Sequence, residues 1–192
     1  MSTTKFNPRN AVVLLIIIVI AVIRVFNNFS TGMTALANYS PLAAMALFGS
    51  AYFKGNIKPL LFPLMAIFIS DIILFATVYK QYGNGFLYDG WLWVYGAFLL
   101  IAINGKLIIR KVTVKNVALS IIVAVFIHWI VTDFGVWIGS ATYPQTWSGF
   151  NACLAAAIPF ELRLLTATAV YSAIMFGVFE LVQRKYVALR SA

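Results

Sequence analysis

Residues 117–139 read VALSIIVAVFIHWIVTDFGVWIG. At 1.5 Å per residue a helix over this stretch is about 34 Å long, enough to cross the roughly 30 Å hydrocarbon layer of a bilayer. His128 and Asp133 stand inside it. An ionisable side chain at bilayer depth costs about 2.5–3.5 kcal/mol on insertion scales, so such groups turn towards a partner or a wet cavity. The stretch therefore predicts a membrane span whose polar residues face protein.

The rest of the chain follows the same pattern. Its 192 residues are 62% apolar and 10% charged, with a mean hydropathy of +0.93, against about half apolar and a quarter charged in soluble domains. Five more apolar segments cover about 11–29, 40–54, 59–79, 91–110 and 157–183. The reading is one membrane domain over 1–192, an all-α integral membrane protein of six transmembrane helices. The second segment is the weakest: SPLAAMALFGSAYF gives only about 21 Å of helix, so it either starts nearer Ala35 or sits short within the protein. Pro41, Pro59, Pro63 and Pro159 read as helix starts, which places Glu161 and Arg163 in the first two turns of the sixth helix and leaves its N-terminus favourable to an anion.

The formal charge is +9, and in so apolar a chain the basic residues are topology signals rather than a nucleic-acid surface. Lys5 and Arg9 precede the first span. Lys54 and Lys58 lie between the second and third, Lys106, Arg110, Lys111 and Lys115 between the fourth and fifth, and Arg184, Lys185 and Arg190 follow the sixth. The alternate loops hold only Lys80, so the positive-inside rule puts both termini in the cytoplasm. Ala35-Leu36-Ala37 loosely resembles a signal-peptidase site, but it lies too far beyond the first apolar run to predict cleavage. Single Cys and His residues disfavour a zinc site, Cys153 reads as a small packing residue, and the chain shows no phosphate-binding glycine loop or nucleophile elbow. No cofactor and no enzyme chemistry is predicted.

The remaining charges are informative by depth. Arg24, Asp71, Asp133, Glu161 and Arg163 all fall in the outward half of their segments, with His128 near the midplane. A common depth predicts one polar cavity open to the outside. Its expected lining is Arg24, Asn38, Asp71, His128, Asp133, Trp137, Glu161 and Arg163, with outer loops carrying Tyr82, Tyr88, Tyr143 and Trp147 to cover a small molecule. The competing reading is internal glue, with Arg24 paired to Asp71 and Arg163 to Asp133 or Glu161.

A family resemblance rests on five blocks: Arg24, the run Asn38-Tyr39-Ser40-Pro41 through Ala46-Leu47-Phe48-Gly49, Pro63 followed by Ser70-Asp71, Gly135-Val136-Trp137, and Ile158-Pro159-Phe160. With these the chain resembles an uncharacterised bacterial membrane-protein family described as transport proteins, and in outline the S components of energy-coupling factor (ECF) vitamin transporters. The resemblance implies an S-component-like bundle in the bacterial inner (cytoplasmic) membrane and uptake of a small vitamin-like substrate. As partner it implies an ATP-driven coupling module made of a transmembrane coupling protein and ATPases. S components that dock on that module commonly carry an AxxxA patch on the first helix. Here Ala11 and Ala21 form no such pair, and small residues gather in the second span as Ala43, Ala44, Ala46, Gly49 and Ser50. Two alternatives stay open: a proton-coupled secondary transporter using His128 and the buried acids, and a structural subunit of a larger membrane complex.

Overall fold

A computed structural model describes residues 7–31, 39–80 and 87–189. Within them the chain is all-α: α1 (Pro8–Thr31), α2 (Leu42–Tyr52), α3 (Lys58–Thr77), α4 (Trp91–Ile108), α5 (Val114–Trp137) and α6 (Trp147–Lys185), followed by a 3-10 turn at Val187–Leu189. Local chemistry sets several starts. The Asn7 side chain accepts the Arg9 backbone N–H at 3.0 Å, with Pro8 in the first turn, where no N–H is needed. Thr113 caps α5 by accepting from the Asn116 N–H at 3.2 Å.

Five helices, α1, α3, α4, α5 and α6, are long and apolar enough to cross a bilayer. Large apolar side chains such as Leu15, Phe26, Leu92, Phe126 and Leu162 point outward from them. The second helix is different. Its 11 residues span about 16 Å, ten of them are buried, and α1, α3, α4, α5 and α6 all pack against it. It is the core of the bundle, and its apolar composition serves protein neighbours where the other helices serve lipid. Of the two sequence alternatives, the described residues show the short one.

Close approach makes this enclosure possible. A Cβ on Gly49 would come within 2.2 Å of the Pro63 ring, and one on Gly105 within 2.0 Å of Ser50 Oγ. Glycine at these two positions lets α2 lie directly against α3 and α4. Pro63 accordingly sits inside α3, correcting its expected place at a helix start; Pro59 does occupy the first turn.

The sixth helix departs most from expectation. It begins at Trp147, ten residues before position 157, capped by Thr146, whose hydroxyl accepts from the Gly149 N–H at 3.2 Å. Pro159 lies inside it, so Glu161 and Arg163 are near its middle instead of in its first two turns. The segment WSGFNACLAAAI ahead of Pro159 is rich in alanine and has a capping threonine, which outweighs one proline. Membrane helices tolerate proline because nearby groups re-satisfy the freed carbonyl.

Side-chain contacts fix the directions. Arg24 meets Asp71 across α1 and α3, Phe98 meets His128 across α4 and α5, and Asp133 meets Cys153 across α5 and α6. One end of the bundle gathers Lys54, Lys58, Lys106, Arg110, Lys115 and Arg184; the other gathers Tyr88, Trp91, Trp137, Tyr143 and Trp147. These are called the basic and the aromatic ends.

Candidate functional site

Two of the polar clusters inside the bundle meet α4 through neighbouring residues, one at Tyr95 and the other at Val94 and Phe98. The first joins α1, α3 and α4. Arg24 Nη2 donates to Asp71 Oδ1 at 2.6 Å and Nη1 to Ser70 Oγ at 2.5 Å. The other carboxylate oxygen of Asp71 accepts from the Tyr95 hydroxyl at 2.8 Å and the Tyr88 hydroxyl at 3.5 Å. Burial, and then the Asp71 carboxylate beside it, push the Tyr88 phenol up, so it keeps the proton it donates. Asn28 ties in by donating to the Arg24 carbonyl at 2.9 Å and accepting from Tyr79. Asp71 is 4% exposed, and both its oxygens have donors. An ion pair engaged in this way ties α1 to α3 and, through Tyr95, to α4.

The second cluster lies between α2, α4, α5 and α6. His128 Nδ1 is 2.8 Å from Glu161 Oε1. Glu161 is 7% exposed, yet its other oxygen, Oε2, is buried without a hydrogen-bond partner among the described residues. Both residues line a cavity of about 230 Å³ whose remaining wall is Ser40, Leu42, Val94, Phe98, Phe160 and Leu164. The shortness of α2 creates this space: the helix begins only at Leu42, so at this level its neighbours are separated by its N-terminal end rather than by another full turn. The geometry combines a carboxylate lacking one donor, an imidazole that orients it, and aromatic walls.

The other expected lining residues lie elsewhere. Asp133 is buried one turn beyond His128, where the Cys153 thiol approaches its Oδ1 at 3.8 Å. Trp137 anchors the α5–α6 loop, donating from Nε1 to the Pro144 carbonyl at 2.9 Å, while Gln145 donates to its own carbonyl at 2.7 Å. Arg163 is exposed on the outer face of α6, with its guanidinium 5.8 Å from the Phe160 ring centre. It lines neither cluster. Asn38 and Tyr82 lie outside the described residues. Thus the structure brings His128 and Glu161 into one cavity and Arg24 and Asp71 into a separate ion pair.

A further set escaped the sequence reading. Asn104 Oδ1, Ser120 Oγ, Thr168 Oγ1 and Ser172 Oγ are all buried without partners among the described residues. Asn104 meanwhile donates to the Ser120 carbonyl at 2.9 Å. Glu161, Thr168 and Ser172 stand seven and then four residues apart, the spacing of one helical face, and that periodicity was the available signal. Ser172 also lines a larger hollow of about 570 Å³ at the basic end, walled by Val117, Ala118, Phe176, Glu180 and Arg184. This hollow is mostly apolar, and its Glu180 already accepts from Tyr52 at 2.5 Å. The smaller cavity holds the stronger chemistry.

Fold and interior together define a multi-pass α-helical membrane protein with ionisable groups enclosed in its bundle. Within that class, the chain belongs to a family of unknown function, DUF6580, whose model matches residues 4–189. No curated protein and no solved structure matches it.

Proposed function

We propose that the protein is a substrate-binding membrane protein, a carrier or the binding subunit of one, that takes up a small vitamin-like organic nutrient. The observation that carries this reading is the His128–Glu161 cavity with its partnerless carboxylate oxygen. A buried acceptor without a donor costs about 1–3 kcal/mol, and more when charged, which a bound molecule can relieve. Ion pairs that only hold helices have no need of such an oxygen, as Asp71 illustrates. In this reading the basic end faces the cytoplasm of a bacterial inner membrane, both termini are inside, and the cavity is reached from the aromatic end. The role is capture and passage, not catalysis.

The test is native mass spectrometry of the protein purified from its own host. A small molecule should be retained by the wild type and absent from Glu161→Gln. An equal set of retained molecules in both proteins would remove the cavity from the function.

One observation favours a proton-coupled variant of this reading over an ATP-driven coupling module: the row of partnerless hydroxyls that continues from Glu161 through Thr168 to Ser172 on α6, towards the hollow at the basic end. Buried hydroxyls of this kind commonly hold water, and water with hydroxyls can pass protons. Uptake that collapses with an uncoupler but persists when ATP is depleted supports the proton-coupled form; the opposite pattern supports the ATP-driven module.

A further inference from the structure

We infer that the cavity at His128 and Glu161 takes a small organic ammonium cation, an inference that rests on the binding role proposed above. Three observations point to that charge and shape. First, the missing interaction is a donor: Glu161 Oε1 is engaged by His128, and Oε2 has nothing. Second, the surroundings are electronegative. On α5 the ionisable groups near the cavity are His128 and Asp133, and Asp133 lies within electrostatic reach of both Glu161 and His128. On α6 they are Glu161 itself and Arg163, whose side chain is turned outward over Phe160. The cavity wall from α2 and α4 is Leu42, Val94 and Phe98, and the Ser40 that precedes α2 is uncharged. Tyr95 of α4 is engaged with Asp71, and the Arg24–Asp71 pair is closed on itself. Two acids face one imidazole inside the bundle, with the Arg163 guanidinium outside the wall over Phe160, and an interior acid without a basic partner is balanced by a cation or a proton.

Third, the walls suit an ammonium group on a compact apolar body. Phe98, Phe160 and the His128 ring border the carboxylate, and aromatic faces attract cations most strongly when water is excluded. At about 230 Å³ the cavity is smaller than the usual range for drug-sized ligands, about 300–1,000 Å³. Oε2 is itself enclosed, so a primary amine would donate to it only as the surrounding wall gives, with its hydrocarbon against Leu42, Val94 and Leu164.

The experiment is thermal unfolding of the full chain in lipid nanodiscs with matched probe sets: butylamine, butanol and butanoate, then phenethylamine, 2-phenylethanol and 3-phenylpropanoate. The amines should raise the unfolding midpoint by a few degrees, and the alcohols and carboxylates should not. Glu161→Gln should abolish the amine shift. Val94→Phe, which fills the cavity without touching a charge, should do the same and covers the case in which Glu161→Gln does not fold. If carboxylates or alcohols stabilise as well as amines, and Val94→Phe removes that shift, the ammonium assignment is wrong while the binding cavity stands. If no probe of any charge gives a shift that Val94→Phe removes, both the assignment and the cavity's binding role are overturned.

Discussion

Asp71 and Glu161 are both buried carboxylates, and their partners make them different in kind. Asp71 is fully engaged by Arg24, Tyr95 and Tyr88, whereas Glu161 is only half engaged by His128. Truncating one member of a buried ion pair strands the other charge and costs about 3–5 kcal/mol. Asp71→Ala should therefore lower the unfolding midpoint by on the order of ten degrees, because the Arg24 side chain is only 13% exposed and would be left as a buried, unbalanced charge. Arg24→Met combined with Asp71→Ala should recover more than half of that loss; a double variant as unstable as the single one would show that the pair is not what holds α1 to α3. Glu161→Gln keeps the shape and an acceptor for His128, and should change stability by less than about 1 kcal/mol. The shared level of Arg24 and Asp71 was legible in the sequence by counting along their segments, whereas that of Glu161 was misjudged because its helix starts at Trp147. The separation of the two clusters was not legible. It depends on which way each side chain turns around its helix: Tyr95 of α4 faces Asp71 while Val94 and Phe98 face His128. A count of depth carries no information about that angle. The placement of Arg163 over Phe160, two residues from Glu161 but on the outer face, follows from the same rotation.

At the level of elements, α2 organises the bundle. It is gripped through Gly49 against Pro63 on one side and through Ser50 and Leu47 against Gly105 on the other. Gly105→Ala places a methyl group 2.0 Å from Ser50 Oγ, an overlap that must be relieved by movement, and overpacking of this type costs about 1–3 kcal/mol. The substitution should lower the unfolding midpoint, and adding Ser50→Ala should restore most of it by deleting the colliding atom. Failure of that rescue would mean that α2 is not seated against α4 through this contact. Gly49→Ala has no comparable remedy, since its collision is with a proline ring that cannot rotate away. The small residues of α2 stood out in the sequence, and the close neighbours they admit lie within the same chain. Segment periodicity could not settle this, because a helix buried in protein and one buried in lipid are apolar for the same reason. Pro159 misled for a related reason. Proline marks helix starts in soluble proteins, but in α6 the alanine-rich turn before it continues the helix back to the Thr146 cap.

For the whole molecule, the separation into a basic and an aromatic end implies a fixed orientation, and the proposed uptake requires it to be the one the positive-inside rule selects. The two ends carry convenient reporters. Trp147, 81% exposed, marks the aromatic end, and Val114, 88% exposed, marks the basic end. Cys153 is 2% exposed and is replaced by alanine to leave no other thiol; it packs against Asp133 through a weak thiol contact, so Cys153→Ala should cost little. In intact cells a membrane-impermeant maleimide should label Trp147→Cys, and should reach Val114→Cys only after the membrane is permeabilised. The consequence extends to mechanism. His128 and Glu161 lie nearer the aromatic than the basic end of α5 and α6, and the larger hollow with Glu180 lies at the basic end. With the aromatic end outward, a solute meets the selective carboxylate first and the wider, apolar hollow second, the order expected of capture followed by release. Labelling of Val114→Cys alone in intact cells would reverse that order, place the selective cavity on the cytoplasmic side, and replace uptake with export.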